Sequence, residues 1–207
     1  MTTDAKIVLH GFKPSGHSHR AELMLSLLKL PYEFRNVDLR RLEQKTPEFL
    51  ALNAFGTVPV LDDGGIVIAD SVAIIVYLSL RYDSARRWLP ADPVEAARVQ
   101  RWLSVAQGPV FNGPATARII KLFGGPGDHQ RAIAIAEKLL AVLEAELVLH
   151  PYLAGQYPTL ADVAVYSYVA RAPEGGVSLD AFAAVQAWLK RVEELPGFLP
   201  MAAMVAG

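Results

Sequence analysis

Residues 6–20 read KIVLHGFKPSGHSHR, and this stretch decides the fold. Apolar residues alternate over 6–12 as in a buried strand, and the Lys-Pro-Ser-Gly sequence at 13–16 is a turn signal. Apolar residues then recur at helical spacing over 20–30, until a proline closes the pattern. The sequence therefore predicts a strand, a turn and a helix, with Ser15 where the turn meets the helix.

The alternation of strands and helices continues to about residue 82. Thr46 and Pro47 have the residue types of a helix cap and a first helical position, and Ser71 is a second candidate cap. The remaining elements predicted here are a strand over 32–39, a helix from 46 to about 53, a hairpin with strands at 57–61 and 66–69, and a helix over 71–82. The predicted order is βαβαββα.

From about residue 83 every periodic segment is helical. Asp92 and Pro93 have the residue types of a cap and a first turn. The predicted helices cover residues 93–107, 109–123, 129–149, 160–172 and 179–194. Strands alternating with helices, followed by helices alone, are typical of two domains. We predict an α/β domain over 1–82, a linker over 83–92 and an all-helical domain over 93–207.

The composition excludes several classes of function. Hydrophobic residues make up 52% of the 207, which is enough for packed cores. With 20 Lys and Arg against 21 Asp and Glu the net charge is −1, so no nucleic-acid partner is expected. The first six residues do not resemble a secretion leader, and apolar runs such as 72–78 are too short to span a membrane. We expect a soluble, cytoplasmic protein without a membrane partner.

Cysteine is absent from the sequence. Its absence excludes disulfide bonds, thiolate metal ligands and cysteine nucleophiles. His17 and His19 are two residues apart, which on a helix directs them to different faces, and no further cluster has the spacing of metal ligands. No metal cofactor is expected.

Two short motifs combine backbone signals with groups that can bind a ligand. Ser15 and Ser18 lie at a helix start, where N–H groups and the helix dipole favour an anion, and a hydroxyl there can stabilise a thiolate. Both serines are equally compatible with a purely capping role. Pro59 opens a strand, so the Val58–Pro59 bond is either trans and structural or cis, with the Val58 main chain turned toward a peptide-like ligand.

A third motif, Asp70-Ser71, follows the last predicted strand and opens the next helix. A carboxylate and a hydroxyl beside free N–H groups can recognise the ammonium and the carboxylate of an amino acid together. A cap without a ligand explains Ser71 equally well.

Together these motifs resemble the cytosolic glutathione transferase family, over nearly the whole chain. In the first half the resemblance rests on SGHSHR (15–20), LPYEF (30–34), TPEFLALN (46–53), TVPVL (57–61) and ADSVAIIVYL (69–78). In the second half, PTLADVA (158–164) resembles the capping motif of that family, with Thr159 and Asp162 at the S/T-x-x-D spacing. The resemblance implies a thioredoxin-like N-terminal domain followed by an all-α helical domain, in an enzyme of the serine type.

The resemblance also implies roles for individual residues. Ser15 would donate its hydroxyl to the sulfur of glutathione, with Ser18 as the second candidate. Val58 would pair through its main chain with the cysteinyl part of glutathione, in a geometry fixed by cis Pro59. The other glutathione-binding residues that it implies are Gln44 and Lys45 for the glycine carboxylate, and Asp70 and Ser71 for the γ-glutamyl end.

The resemblance identifies the function as that of a glutathione S-transferase, with glutathione as co-substrate. The Cys-x-x-Cys of many thioredoxin-type domains is here Ser15-x-x-Ser18, so glutathione itself must be the nucleophile that attacks an electrophilic, largely apolar small molecule. Peroxidase, isomerase or dehalogenase chemistry with the same thiolate stays open, as does a non-catalytic binding module.

The second substrate is expected between the domains, a usual place for ligand sites. Candidate lining residues in the helical part are Trp102, Val105, Ala106, Val110, Phe111 and Arg118. Apolar residues at this helical spacing are at least as typical of a core, Trp102 above all. The resemblance also implies a homodimer, with the third helix and the first helix of the second domain at the interface.

Overall fold

A four-stranded mixed sheet forms the centre of the first of two units in the computed structural model, which describes residues 6–204. The strands are β1 (Ile7–Gly11), β2 (Tyr32–Asn36), β3 (Val60–Asp63) and β4 (Ile66–Ala69). Their order across the sheet is β2-β1-β3-β4. β1 pairs parallel with β2 and antiparallel with β3, and β3 pairs antiparallel with β4.

Three helices accompany this sheet: α1 (Gly16–Leu27), α2 (Pro47–Leu52) and α3 (Ser71–Tyr82). α1 and α3 pack against each other. The core of the unit consists of side chains without solvent exposure, namely Leu9, Leu23, Met24, Leu25, Leu61, Ile74, Ile75 and Leu78. α2 contributes Phe49 to a smaller cluster with Val37 and Val60.

The second unit is helical. Its elements are α4 (Pro93–Gln107), a π-helical turn (Phe111–Ala115), α5 (Thr116–Phe123), α6 (His129–Leu149), α7 (Leu160–Ala170), a 3-10 helix (Ala172–Gly175) and α8 (Ala183–Glu193). Trp102 and Trp188 are among its largest fully buried side chains. Within the described residues, no helix is long and apolar enough to cross a membrane.

The segment Pro196–Ala202 returns to the first unit, although the sequence placed it in the helical domain. Two hydrogen bonds attach it to α1. Ser26 Oγ donates to the carbonyl oxygen of Gly197 at 2.6 Å, and His19 Nε2 lies 2.8 Å from the carbonyl oxygen of Leu199. The first unit is therefore built from two separate parts of the chain.

The predicted fold class and the βαβαββα order are confirmed. Thr46 caps α2 with Pro47 in its first turn, and Asp92 caps α4. Ser71 was the wrong cap for α3. The cap is Asp70, whose Oδ1 accepts hydrogen bonds from two N–H groups, and Ser71 is the first helical residue.

Two helix starts differ from the prediction, and the helix predicted over 109–123 is observed as the π-helical turn followed by α5. α1 begins at Gly16, four residues before the apolar pattern. The pattern misses the first turn because the residues buried there, such as Ser18 and His19, are polar. α8 begins at Ala183 instead of 179. The Glu144 carboxylate of α6 accepts hydrogen bonds from the N–H groups of Ala184 and Val185, both at 3.0 Å, and so caps the helix at that point.

Candidate active site

The strand register brings the three predicted motifs to one edge of the sheet. His10, near the carboxyl end of β1, pairs with Val60 at the start of β3, and Val60 pairs with Ala69 at the end of β4. The turn at 12–15, the residues just before β3 and those just after β4 therefore leave the sheet at the same end. Ser15, Val58 and Asp70 thus lie at the same end of the sheet, although up to 55 positions separate them in the sequence.

Ser15 occupies the N-cap of α1. Its Oγ accepts a hydrogen bond from the N–H of Ser18 at 3.4 Å, and its own N–H donates to the carbonyl oxygen of Phe12 at 2.8 Å. The side chain is partly exposed. Its hydroxyl proton can therefore turn toward a ligand at the positive end of the helix.

Ser18 has a different environment. It is 1% exposed, and its Oγ accepts a hydrogen bond from the N–H of Phe12 at 3.0 Å. This bond ties α1 back to the end of β1, so the hydroxyl stabilises the fold. Of the two serines, only Ser15 combines the cap position with exposure to a ligand.

Lys13 fixes the turn that carries Ser15. Its ammonium forms an ion pair with Glu22 of α1 and lies 3.9 Å from the ring centre of Phe34 on β2. Tyr32 donates a hydrogen bond to the same Glu22 carboxylate at 2.9 Å. No local pattern predicts this role, because the partners come from two other elements, α1 and β2.

The Val58–Pro59 peptide bond is cis. Asn53 fixes Thr57, the residue before Val58. Its side-chain amide donates to the carbonyl oxygen of Thr57 at 2.8 Å and to Thr57 Oγ1 at 3.1 Å. In the described part of the chain, the main-chain polar groups of Val58 have no hydrogen-bond partner. Val58 is partly exposed, so these groups are available to a peptide-like ligand.

Asp70 and Ser71 open α3 with contrasting surroundings. Asp70 is exposed, and its Oδ1 accepts from the N–H groups of Val72 at 2.8 Å and Ala73 at 2.9 Å. Its φ of 77° lies in the left-handed region, which costs energy for a residue with a side chain. Ser71 is 2% exposed.

Gln44 and Lys45 lie in a single-turn 3-10 helix, Glu43–Lys45. Lys45 Nζ donates to the carbonyl oxygen of Phe55 at 3.2 Å. Gly56 fits closely between the two, because a Cβ there would lie 2.8 Å from Gln44 O and from Lys45 Nζ. Gln44 Oε1 is buried and makes no hydrogen bond within the described residues. This segment therefore packs directly beside the loop that leads to Val58.

His17, Arg20 and Ser71 form a cluster between α1 and α3. Arg20 Nη1 donates to Ser71 Oγ at 2.7 Å, and His17 Nδ1 lies 3.2 Å from the same oxygen. Arg20 has no solvent exposure. Burial, and secondarily the Arg20 guanidinium, lowers the pKa of His17 to about 3, so His17 is neutral at ordinary pH.

The neutral state of His17 gives the stability of the protein a pH dependence. Below pH 6.5 the unfolded chain protonates His17 and the folded chain does not. The contribution of neutral His17 to the free energy of unfolding is therefore complete above pH 6.5 and is lost as the pH falls toward 3. We expect the stability difference between wild type and His17→Asn to shrink by about 1.5 kcal/mol from pH 6.5 to 5. Urea unfolding of both proteins at several pH values measures it, and parallel curves would contradict it.

The residues predicted to contact the second substrate fall into two groups. Val105 is partly exposed and Phe111 is 40% exposed. Trp102, Ala106, Val110 and Arg118 are buried. Arg118 Nε donates to the Glu174 carboxylate at 2.6 Å in an ion pair within the helical unit. The charge of Arg118 is thus used inside the fold.

His17 and His19 lie on different sides of α1, as their spacing predicts. The ring of His17 contacts Ser71 of α3, and that of His19 contacts Leu199 of the returning segment. Between residues 6 and 204, no group of three or more His, Asp or Glu side chains is placed to hold a metal ion.

Comparisons with known proteins agree with this architecture. The family model described as the glutathione S-transferase N-terminal domain matches residues 14–81, and the corresponding C-terminal domain model matches 128–196. Glutathione S-transferase 3 of Zea mays is 34% identical over 94% of this chain and 92% of its own length. Glutathione S-transferase F10 of Arabidopsis thaliana is 36% identical over 71% of this chain and 72% of its own.

Solved structures match over most of both chains. A glutathione S-transferase from Pseudomonas fluorescens has a TM-score of 0.87 at 34% identity, and the match covers 95% of this chain and 99% of that one. A glutathione transferase homologue from Drosophila mojavensis, solved with bound glutathione, has a TM-score of 0.83 at 34% identity, covering 92% and 89%.

A thioredoxin-like domain followed by a helical domain is the architecture that this chain shares with the matched glutathione transferases. The chain belongs to the glutathione S-transferase family. It is an enzyme that activates glutathione for attack on electrophilic small molecules.

Proposed function

We propose that glutathione binds along the sheet edge where Ser15, Val58 and Asp70 meet, and that Ser15 activates its thiol. The observation that carries the proposal is the contrast between the two serines. Ser15 is a partly exposed N-cap, whereas Ser18 is buried and bonded to Phe12.

The Ser15 hydroxyl donates a hydrogen bond to the glutathione sulfur in this proposal. Such a bond favours the thiolate over the thiol and so lowers its pKa, and the N-terminus of α1 acts in the same direction. The thiol proton leaves to solvent, the sulfur forms a bond to the electrophilic carbon, and the leaving group departs with its electron pair. The chain has no cysteine of its own, so the sulfur comes from glutathione.

The two ends of glutathione meet opposite charges. The Asp70 carboxylate recognises the γ-glutamyl ammonium, with Ser71 beside it at the N-terminus of α3. Lys45 and the Gln44 amide recognise the glycine carboxylate, and Val58 pairs with the cysteinyl part through its main chain. Pro59 holds the Val58 main chain at the start of β3.

For the second substrate, Val105 and Phe111 are the members of the predicted set that have exposed surface. We propose that they contact an apolar electrophile. Ala106, Val110 and Arg118 are buried, so we expect them to pack in the helical unit without touching the ligand.

The family resemblance also supports a homodimer and a cytoplasmic location. We propose that α3 and α4 lie at the dimer interface. Arg101 of α4 forms an ion pair with Glu146, with Nη1 and Oε2 3.4 Å apart. Its side chain is still exposed, which is compatible with a place at an interface or in solvent.

Asp70→Asn tests the glutathione site with a matched control. Asparagine keeps the capping oxygen and tolerates a positive φ, so it removes only the charge. We expect the Kd for glutathione to rise about tenfold, because one charge-assisted hydrogen bond is lost. Titration calorimetry with glutathione measures the change.

Asp92→Asn is the control, because Asp92 caps α4 through the same pair of bonds, to the N–H groups of Val94 and Glu95 at 2.9 Å. It should leave the Kd unchanged. If wild type bound no glutathione at millimolar concentration, the whole site assignment would fail. If the two variants had equal affinities, Asp70 would lose its role as a ligand.

A further inference from the structure

His17 makes a contact that the chemistry of thiol activation does not require. Its Nδ1 lies 3.2 Å from Ser71 Oγ and 3.3 Å from Arg20 Nη1, while Arg20 Nη1 also lies 2.7 Å from Ser71 Oγ. His17 belongs to the first turn of α1, two residues after Ser15. Ser71 is the first residue of α3, directly after Asp70. The contact thus joins the two helix ends that carry the proposed glutathione ligands.

The three contacts favour one placement of the protons, in which the single lone pair of His17 Nδ1 is shared by two donors. A guanidinium only donates hydrogen bonds, so the Arg20 contact assigns a lone pair to His17 Nδ1 and places the ring proton on Nε2. Ser71 Oγ already accepts from Arg20. Its own proton therefore points to His17 Nδ1, which is the acceptor within reach.

We propose that His17 is a positioning residue of the glutathione site: by accepting the Ser71 hydroxyl proton at Nδ1, it fixes that side chain and holds the start of α3 in register with the start of α1. The inference rests on the proposed glutathione site. It assigns a function to a side chain that the activation of the thiol leaves unused.

The arrangement acts on binding more than on chemistry. With His17 in place, Ser71 and the Arg20 charge behind it stay at the N-terminus of α3, where the γ-glutamyl group is proposed to bind. Without the acceptor, the Ser71 hydroxyl can rotate, and part of the binding free energy is spent on ordering it again. Ser15 is not part of the cluster. Replacement of His17 should therefore raise KM for glutathione and leave kcat unchanged.

Two isosteric variants test which ring nitrogen matters. Asparagine can place its amide oxygen close to the position of Nδ1, whereas glutamine places its amide near Nε2. We expect His17→Asn to keep KM for glutathione within about twofold of wild type, and His17→Gln to raise it about fivefold or more at unchanged kcat. Both variants stay polar, and thermal unfolding of each checks that it is folded. Equal KM values for the two variants would overturn the proposal.

A double-mutant cycle with Ser71→Ala tests whether His17 acts through Ser71. In the Ser71→Ala background, His17→Gln should change KM less than twofold, and an undiminished effect would overturn the coupling. His10→Gln, at a partly buried histidine of β1 in the same unit, is the control and should leave KM unchanged. If wild type did not bind glutathione, the proposed site itself would be wrong. If wild type bound glutathione and His17→Gln had the same KM as wild type, only this inference would be wrong.

Discussion

Replacing Ser15 with alanine is expected to lower kcat about a hundredfold while the Kd for glutathione stays within about threefold of wild type. A single preorganised donor aimed at developing or full negative charge contributes two to three orders of magnitude in kcat. The Ser15 hydroxyl is proposed to be that donor for the thiolate. Steady-state turnover of a chloronitroarene measures kcat, and the ultraviolet absorbance of the thiolate against pH measures the pKa of bound glutathione, which should rise.

The loss of the α1 cap has to be separated from the loss of the donor. Ser15 accepts from the Ser18 N–H, so its removal costs about 1 kcal/mol of stability by itself. Ser18→Ala is the matched control: it removes a buried hydroxyl bonded to the Phe12 N–H and should lower Tm at nearly constant kcat. If Ser18→Ala abolished turnover of folded protein and Ser15→Ala did not, the activating role would move to Ser18.

Helix bounds were predictable where a cap residue precedes a strong apolar period. α4 and α6 begin and end as predicted because Asp92-Pro93 and Asp128 cap them and the apolar faces run to their ends. The start of α1 was missed for the opposite reason. Its first turns bury Ser18, His19 and Arg20, and burial of polar residues leaves no periodic signal in a sequence.

The site could be predicted as a set of motifs but not as a geometry. Ser15 and Ser18 are the same residue type at the same helix start, and they differ only in tertiary surroundings: Ser15 is partly exposed, whereas Ser18 is buried and bonded to Phe12. The link from His17 to Ser71 spans 54 positions, which no local pattern encodes. Sheet register brings these segments together, and the register becomes visible only when the strands are paired.

Residues for the second substrate were the least predictable. Helical spacing marks the apolar side of a helix, whether that side faces a core or a ligand. Ala106 and Val110 have no exposure, and Arg118 is committed to Glu174. Exposure distinguishes Val105 and Phe111 from the others, and exposure is a tertiary property.

Asp162 is the residue whose replacement should cost the fold most. It is fully buried, and its carboxylate collects four donors from three parts of the helical unit. Oδ1 accepts from Leu153 N–H at 3.0 Å and from the indole N–H of Trp188 at 2.8 Å. Oδ2 accepts from Thr159 N–H at 2.9 Å and from its hydroxyl at 3.4 Å. Both oxygens are therefore needed as acceptors.

Asp162→Asn turns one of these acceptors into a donor that faces a donor. A buried hydrogen bond to a charged group contributes up to about 3 kcal/mol, and an unsatisfied buried donor adds its own cost, so a loss on the order of 4 kcal/mol is expected. The three tryptophans, Trp88, Trp102 and Trp188, all lie in the helical unit, so the urea midpoint of tryptophan fluorescence reports this loss directly.

The control for this experiment is Asp128→Asn. Asp128 caps α6 through a single exposed bond to the Arg131 N–H at 3.0 Å, and asparagine caps a helix as well as aspartate does. The free energy of unfolding of Asp128→Asn, obtained from its urea curve, should stay within about 0.5 kcal/mol of wild type. A similar small shift for Asp162→Asn would show that the buried carboxylate is not a fixed anchor of the helical unit. The donors around it would then have water or another acceptor to replace the lost oxygen.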